Sequence, residues 1–173
     1  MTMRLLNFLL ILNTISVSAQ NCKYIQNKVS GMDGTRLVIT EPLDFSQQKK
    51  NEGLKIWSTV YGDTAVVLAF VVSSQNSLSV FEGDKLVLIQ ADSSKVYLSV
   101  FQDAMGTGDK VKSLTILALL NSENLLKLEQ LPISTISVTT TNTRLTYTAR
   151  KEKQTMAIAK LIGCVKDYLS GTL

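Results

Sequence analysis

Histidine is absent from the 173 residues. That removes a Ser-His-Asp triad, a Cys-His dyad and every histidine-ligated metal site. Cysteine occurs only twice, too few for a disulfide-dense miniature scaffold. Neither cysteine has a C-x-x-C partner, so the usual ways of making a low-pKa redox thiol are missing. Charged residues make up only 18% of the chain against 45% hydrophobic, which excludes a disordered polypeptide. The net charge of +4 is too mild to point to nucleic acid. Beyond the N-terminus no run reaches the 18 apolar residues of a membrane-spanning helix; the longest, Thr64 to Val72, is strand length. There is no internal repeat, no low-complexity tract and no dividing linker.

The N-terminus carries the most specific signal. Arg4 is the only charged residue before Lys23, and Leu5 to Leu12 is apolar apart from Asn7. Val17-Ser18-Ala19 then supplies small residues at the −3 and −1 positions of a cleavage site. A basic start, a short apolar run and an A-x-A-like end compose a secretory signal. The expected organisation is therefore a cleaved signal peptide at 1–19 and a single β-rich domain at 20–173. The destination is the periplasm or the medium. A lipid anchor on Cys22 is the rival reading, but Asn21 stands where lipidation signals place a small residue.

In an oxidising compartment an isolated cysteine pair is expected to form one bond, here Cys22 to Cys164. It would tie the mature N-terminus to the C-terminal helix.

From Thr35 onward the pattern is strand-like. Expected strands cover 36–40, 54–60, 64–72, 78–81, 85–89, 95–101, 111–120, 133–140 and 143–149. Residues 43–53, with Gln47-Gln48-Lys49-Lys50, read as a polar loop. Residues 121–132 fit a strand or a helical turn equally well. The period changes at the end: Ile158, Leu161, Ile162, Val165 and Leu169 recur at helical spacing, giving a helix at about 151–169 with Cys164 on the flank of its stripe. The fold class is mainly β (α+β): an antiparallel barrel or sandwich of about eight or nine strands closed by one C-terminal helix.

An exported antiparallel barrel with a C-terminal helix and a disulfide resembles the lipocalin architecture. The G-x-W element of that family is missing, since Lys55-Ile56 precede the sole tryptophan, Trp57. The resemblance is architectural and implies no ligand.

Motifs that carry chemistry are sparse. Gly106-Thr107-Gly108-Asp109-Lys110 lacks the G-x-x-x-x-G-K-[ST] pattern and leads into a strand, so it reads as a turn. Ser46-Gln47-Gln48-Lys49 matches S-x-x-K, but the S-D-N and K-T-G partners are absent. Asp33, Asp63, Glu82, Asp84, Asp92, Asp103 and Asp109 accompany turns, as Asp does for geometric reasons. Trp57, Tyr61, Phe70, Phe81, Tyr97, Phe101 and Tyr147 lie in or beside strands and are first of all core candidates.

No catalytic residue, cofactor or metal is expected. The reading is a non-catalytic exported domain that binds a protein or cell-envelope partner. One alternative is a carrier of a small apolar ligand in a barrel cavity, with Trp57, Phe70, Leu86 and Leu88 as candidate lining residues. The other is a carboxylate-based hydrolase, which needs two acids about 5–10 Å apart in a cleft.

Overall fold

A computed structural model describes residue 22 and residues 24–29, 35–49, 52–62, 65–75, 78–139 and 144–170. The expected signal segment 1–19 and the turn acids Asp33 and Asp63 lie outside the described residues.

Two antiparallel sheets dominate. The first contains β1 (Tyr24–Val29), β2 (Arg36–Thr40), β4 (Glu52–Tyr61), β5 (Ala65–Ser74) and β10 (Lys112–Leu120) in that order, with β3 (Leu43–Lys49) also paired to β4. The second has the order β12 (Arg144–Thr148), β11 (Ile133–Thr139), β7 (Lys85–Gln90), β8 (Lys95–Ser99). A two-residue ladder joins β6 (Ser79–Val80) to β9 (Ala104–Met105). All nine expected strands are present. The additions are β1, β9 and β3. The last corrects the polar-loop reading of 43–53, because β3 pairs with β4 from Leu43↔Ile56 to Lys49↔Glu52.

Strand alternation sends one set of side chains to a shared interior. Leu54, Ile56, Ser58 and Val60 of β4 face inward with Val66, Leu68, Phe70 and Val72 of β5, and with Leu114, Ile116, Ala118 and Leu120 of β10. From the other sheet come Leu86, Leu88, Val96, Leu98, Ile136, Val138 and Tyr147. These apolar residues belong to one contiguous buried cluster. Burial of this kind contributes about 1.5–3 kcal/mol per large side chain and is the main term holding the sheets together.

The sheets meet at two seams, and neither seam is a ladder. At one, Gly83 N donates to Val100 O and Val100 N to Asp84 O, and then Phe101 N donates to Leu117 O at 3.2 Å. The chain thus passes from the second sheet to the edge of the first, where a single bridge joins Val100 to Ala118. At the other, the Ser46 hydroxyl donates to Thr148 O at 3.1 Å. Among the described residues no strand ladder joins the two sheets, so the barrel alternative is not realised: the sheets do not close, and the arrangement is sandwich-like.

Residues 121–132 resolve as a helix, α1 (Ser122–Gln130). Asn121 caps it, its side chain accepting from Asn124 N at 2.8 Å. The expected C-terminal helix divides at Met156 into α2 (Glu152–Thr155) and α3 (Ala157–Leu169). Gln154 Oε1 accepts from the backbone N–H of Arg150 and of Lys151, fixing the entry to α2. The α3 stripe buries Ile158, Leu161, Ile162 and Val165, while Leu169 is exposed. Helix α3 packs on α1, β3 and β4. It lies on the inward side of the first sheet, as the Arg36 guanidinium 5.1 Å from the Tyr168 ring centre shows. Cys22 and Cys164 are disulfide-bonded with Cα atoms 5.6 Å apart and a sequence separation of 142. At that loop length the chain-entropy contribution is about 5 kcal/mol as an upper figure.

Candidate functional site

The sandwich has two outward faces, and their chemistry differs. On the second sheet the outward positions include Lys85, Val87 and Ile89 of β7, Lys95 and Tyr97 of β8, Ser137 of β11, and Arg144 and Thr146 of β12. Arg144 Nε donates to Ser137 Oγ at 3.0 Å, and Ser137 and Thr146 hydroxyls lie 3.1 Å apart. This face is basic and hydroxyl-rich.

From β2 to β10 the outward face of the first sheet is apolar over three successive cross-strand rows, bounded on β1 by Lys28 in register with Leu37 and Gln26 in register with Ile39. Leu37, Tyr61 and Ala65 form one. Ile39, Thr59, Val67 and Leu119 form the next. Trp57, Ala69 and Leu117 form the third, which Phe101 extends through its backbone bond to Leu117. Val67 and Ala69 point outward yet are buried, shielded by taller neighbours on both sides. Tyr61, Phe101 and Leu119 stand open to solvent at 42%, 39% and 53% exposure. Tyr61, Ala65, Val67, Phe101, Gln102, Leu117 and Leu119 line an open groove of about 410 Å³. The rim is polar: Thr115 flanks it, and Lys55 and Asp44 form an exposed ion pair at 3.9 Å. A contiguous apolar patch with a polar border is the usual signature of an interaction surface.

The four candidate ligand residues divide between faces. Phe70, Leu86 and Leu88 belong to the shared buried cluster, whereas Trp57 points the other way, onto the apolar outward face. The turn acids are engaged separately. Asp84 Oδ2 accepts from Phe81 N, Asp103 Oδ1 from Glu82 N, and Asp92 Oδ1 from Ser94 N. The Ser94 side-chain and backbone hydrogen bonds hold the Asp92 carboxyl below the usual carboxylate range. Among the described residues no three His, Cys, Asp or Glu side chains stand together as a metal cluster. Ser46 spends its hydroxyl on the Thr148 seam. The Gly106–Asp109 segment is a tight turn: Thr107 and Ser113 exchange backbone hydrogen bonds at 3.0 and 2.8 Å on the way into β10.

Compared with protein-family models, with curated proteins and with solved structures, the chain matches none. The groove therefore has to be read from its own chemistry.

Tyr61 and Phe101 are in the aromatic set that sequence singles out, but Leu117 and Leu119 are not. The signal for them was the apolar character of β10 on both its faces, together with that of β5 beside it. Strands that are apolar on both faces read as covered on both sides. Here the second cover is missing among the described residues.

Proposed function

We propose that this is an exported, non-catalytic domain whose task is to bind a protein partner through the apolar outward face of the first sheet. The observation that carries the reading is the solvent-open row structure around Tyr61, Phe101 and Leu119, on a sheet whose inward face is already filled. Keeping such side chains in water is costly, and a partner that covers them recovers that cost. Aromatic residues are also favoured anchors at protein interfaces.

Export is supported by the Cys22–Cys164 bond, which is consistent with an oxidising location, and by the signal-like N-terminus. A sulfur already in a disulfide cannot carry a thioether lipid, so the bond also favours release over lipid anchoring at Cys22. No helix among the described residues is long and apolar enough to cross a membrane. The carrier reading draws less support, because Phe70, Leu86 and Leu88 are fully enclosed by other core side chains.

The test places a photo-crosslinking amino acid at Leu119 or Phe101, and at Tyr97 on the opposite face as control, and irradiates the protein in its native compartment. Protein adducts from Leu119 and Phe101 but not from Tyr97 are expected. Adducts from all three positions alike, or from none, would overturn the reading.

A further inference from the structure

We propose that the basic, hydroxyl-rich outward face of the second sheet is a separate binding site, and that it takes an acidic polysaccharide, a chain of sugar rings carrying carboxylate or sulfate groups.

The composition of the face supports it first. Arg144 and Lys85 share one cross-strand row, Lys95 stands two rows away, and the row between holds Thr146, Ser137 and Tyr97. The remaining outward positions of these rows are hydroxyl side chains and the half-buried Val87 and Ile89, and none is acidic. Ala149 packs against the core, so the exposed Arg150 continues the outward side of β12. None of these four cations is ion-paired to a described residue.

The nearest acids sit beyond the strand ends: Glu82 and Asp84 before β7, Asp92 in the β7–β8 turn, Asp103 after β8, and Glu152 in α2. Asp84, Asp92 and Asp103 turn their carboxylates onto the backbone N–H groups of Phe81, Ser94 and Glu82. Glu123 on α1, beside β8, is ion-paired with Lys127. The sheet face itself is left positive.

Geometry supports it second. At about 4.8 Å between strands and about 3.4 Å per residue along them, the Cα of Lys85 lies about 10 Å from that of Arg144 and about 14 Å from that of Lys95. Cations so spaced do not converge on one small anion; they match acid groups repeated along a chain. Between them, the hydroxyls and the Tyr97 ring, 55% exposed, match the hydroxyls and C–H faces of sugars. Arg144 is already positioned: its Nε donates to the fully buried Ser137 Oγ at 3.0 Å. That bond uses Nε, so the two terminal amino groups remain to fork onto a carboxylate or sulfate. A nucleic acid calls for several stacking rings, and these rows offer Tyr97 alone. A lipid surface calls for projecting apolar side chains, whereas Val87 and Ile89 are recessed.

The experiment titrates the oxidised protein into fluorescently labelled oligogalacturonate and dextran sulfate at low ionic strength, with neutral dextran as blank. Binding of an acidic saccharide with Kd of about 10–100 µM, and none of dextran, is expected. Lys85→Gln, Lys95→Gln and Arg144→Gln are each expected to weaken it by up to about 5-fold. The triple variant is expected to lose over about 20-fold, since separated sites add. Tyr97→Ala leaves the charge unchanged and is expected to cost about 3-fold or more, which bare charge attraction does not predict. Leu119→Ser on the far face is expected to change nothing. All the substituted residues are exposed, and unchanged thermal midpoints check the fold. No binding overturns the site, as does binding that the face variants leave intact. Poly-glutamate or single-stranded DNA bound as tightly as the saccharides, or an unchanged Tyr97→Ala affinity, overturns the polysaccharide as its ligand. The crosslinking test of the apolar face is independent, because a glycan here yields no protein adduct at Tyr97.

Discussion

The Thr40 hydroxyl extends the β2–β4 ladder one step past its last backbone pair. Its Oγ1 accepts from Ser58 N at 2.9 Å and donates to Ser58 O at 3.3 Å, while Ser58 Oγ donates to it at 3.2 Å. The ladder itself ends at Ile39↔Thr59. A side chain thus satisfies buried backbone groups that β2 has no residue left to pair, as buried backbone generally requires.

Thr40→Val keeps the shape and deletes the hydroxyl, leaving Ser58 N and O buried without that partner. Destabilisation of about 1–3 kcal/mol is expected. Ser58→Ala removes only one side-chain donor and is expected to cost under about 1 kcal/mol. Urea midpoints at constant m-value measure both.

Gly108 has φ of 123°, and a Cβ built there would run into the carbonyl oxygen of Val111. That oxygen is backbone in a tight turn and cannot swing away. Gly108→Ala is therefore expected to cost about 2–3 kcal/mol. Gly83 also has positive φ, at 89°, but a Cβ there meets nothing within 4 Å. Gly83→Ala is expected to cost about 1 kcal/mol, the backbone strain alone. Comparing the two melting points checks the ordering.

Reduction of Cys22–Cys164, or replacement of both cysteines by Ala, is expected to lower stability by about 3–5 kcal/mol. The m-value should rise, because the open unfolded chain exposes more surface than the cross-linked one. Chemical denaturation with and without reductant measures both quantities. Unchanged midpoints would show that the bond adds nothing to the fold.

Burial lifts the Tyr147 phenol from 10.0 to about 12, with the Glu52 carboxylate adding to the effect. The folded state holds this proton more tightly than the unfolded one. Its stabilising contribution is complete below pH 10 and is lost as pH rises through about 12, a loss of up to about 2–3 kcal/mol. Tyr147→Phe removes the group that titrates and is expected to flatten this alkaline limb. Stability curves between pH 9 and 12 provide the measurement.

Strand positions were legible in the sequence wherever β-branched runs met turn residues, as from Lys85 to Ser99. The C-terminal stripe was legible as well; the structure adds its break at Met156 and leaves Leu169 exposed. β3 was hidden because Gln47, Gln48 and Lys49 give a polar sequence, and its pairing depends on where β4 places Glu52 to Ile56. Residues 121–132 are ambiguous by pattern alone; what makes them a helix start is the Asn121 cap, its side chain accepting from Asn124 N. The role of the aromatics on β4 was not legible either. Leu54, Ile56 and Val60 mark the inward side by hydropathy, but that side also takes the polar Ser58, and the outward placement of Trp57 and Tyr61 runs against their reading as core aromatics. The groove follows from that facing. It also depends on the move of Phe101 to the edge of β10, a long-range relation between residues 101 and 117.

The disulfide also changes what a single cut can do. With Cys22 joined to Cys164 across a sequence separation of 142, the chain from one to the other is a closed covalent ring. A protease that cleaves one exposed turn, such as that at Asp92–Ser93–Ser94, opens the ring without releasing a piece of it. The two new ends remain held by strands on either side, and the old ends remain joined by sulfur. The protein is thus built as a loop that has to be broken twice before any part of it can leave.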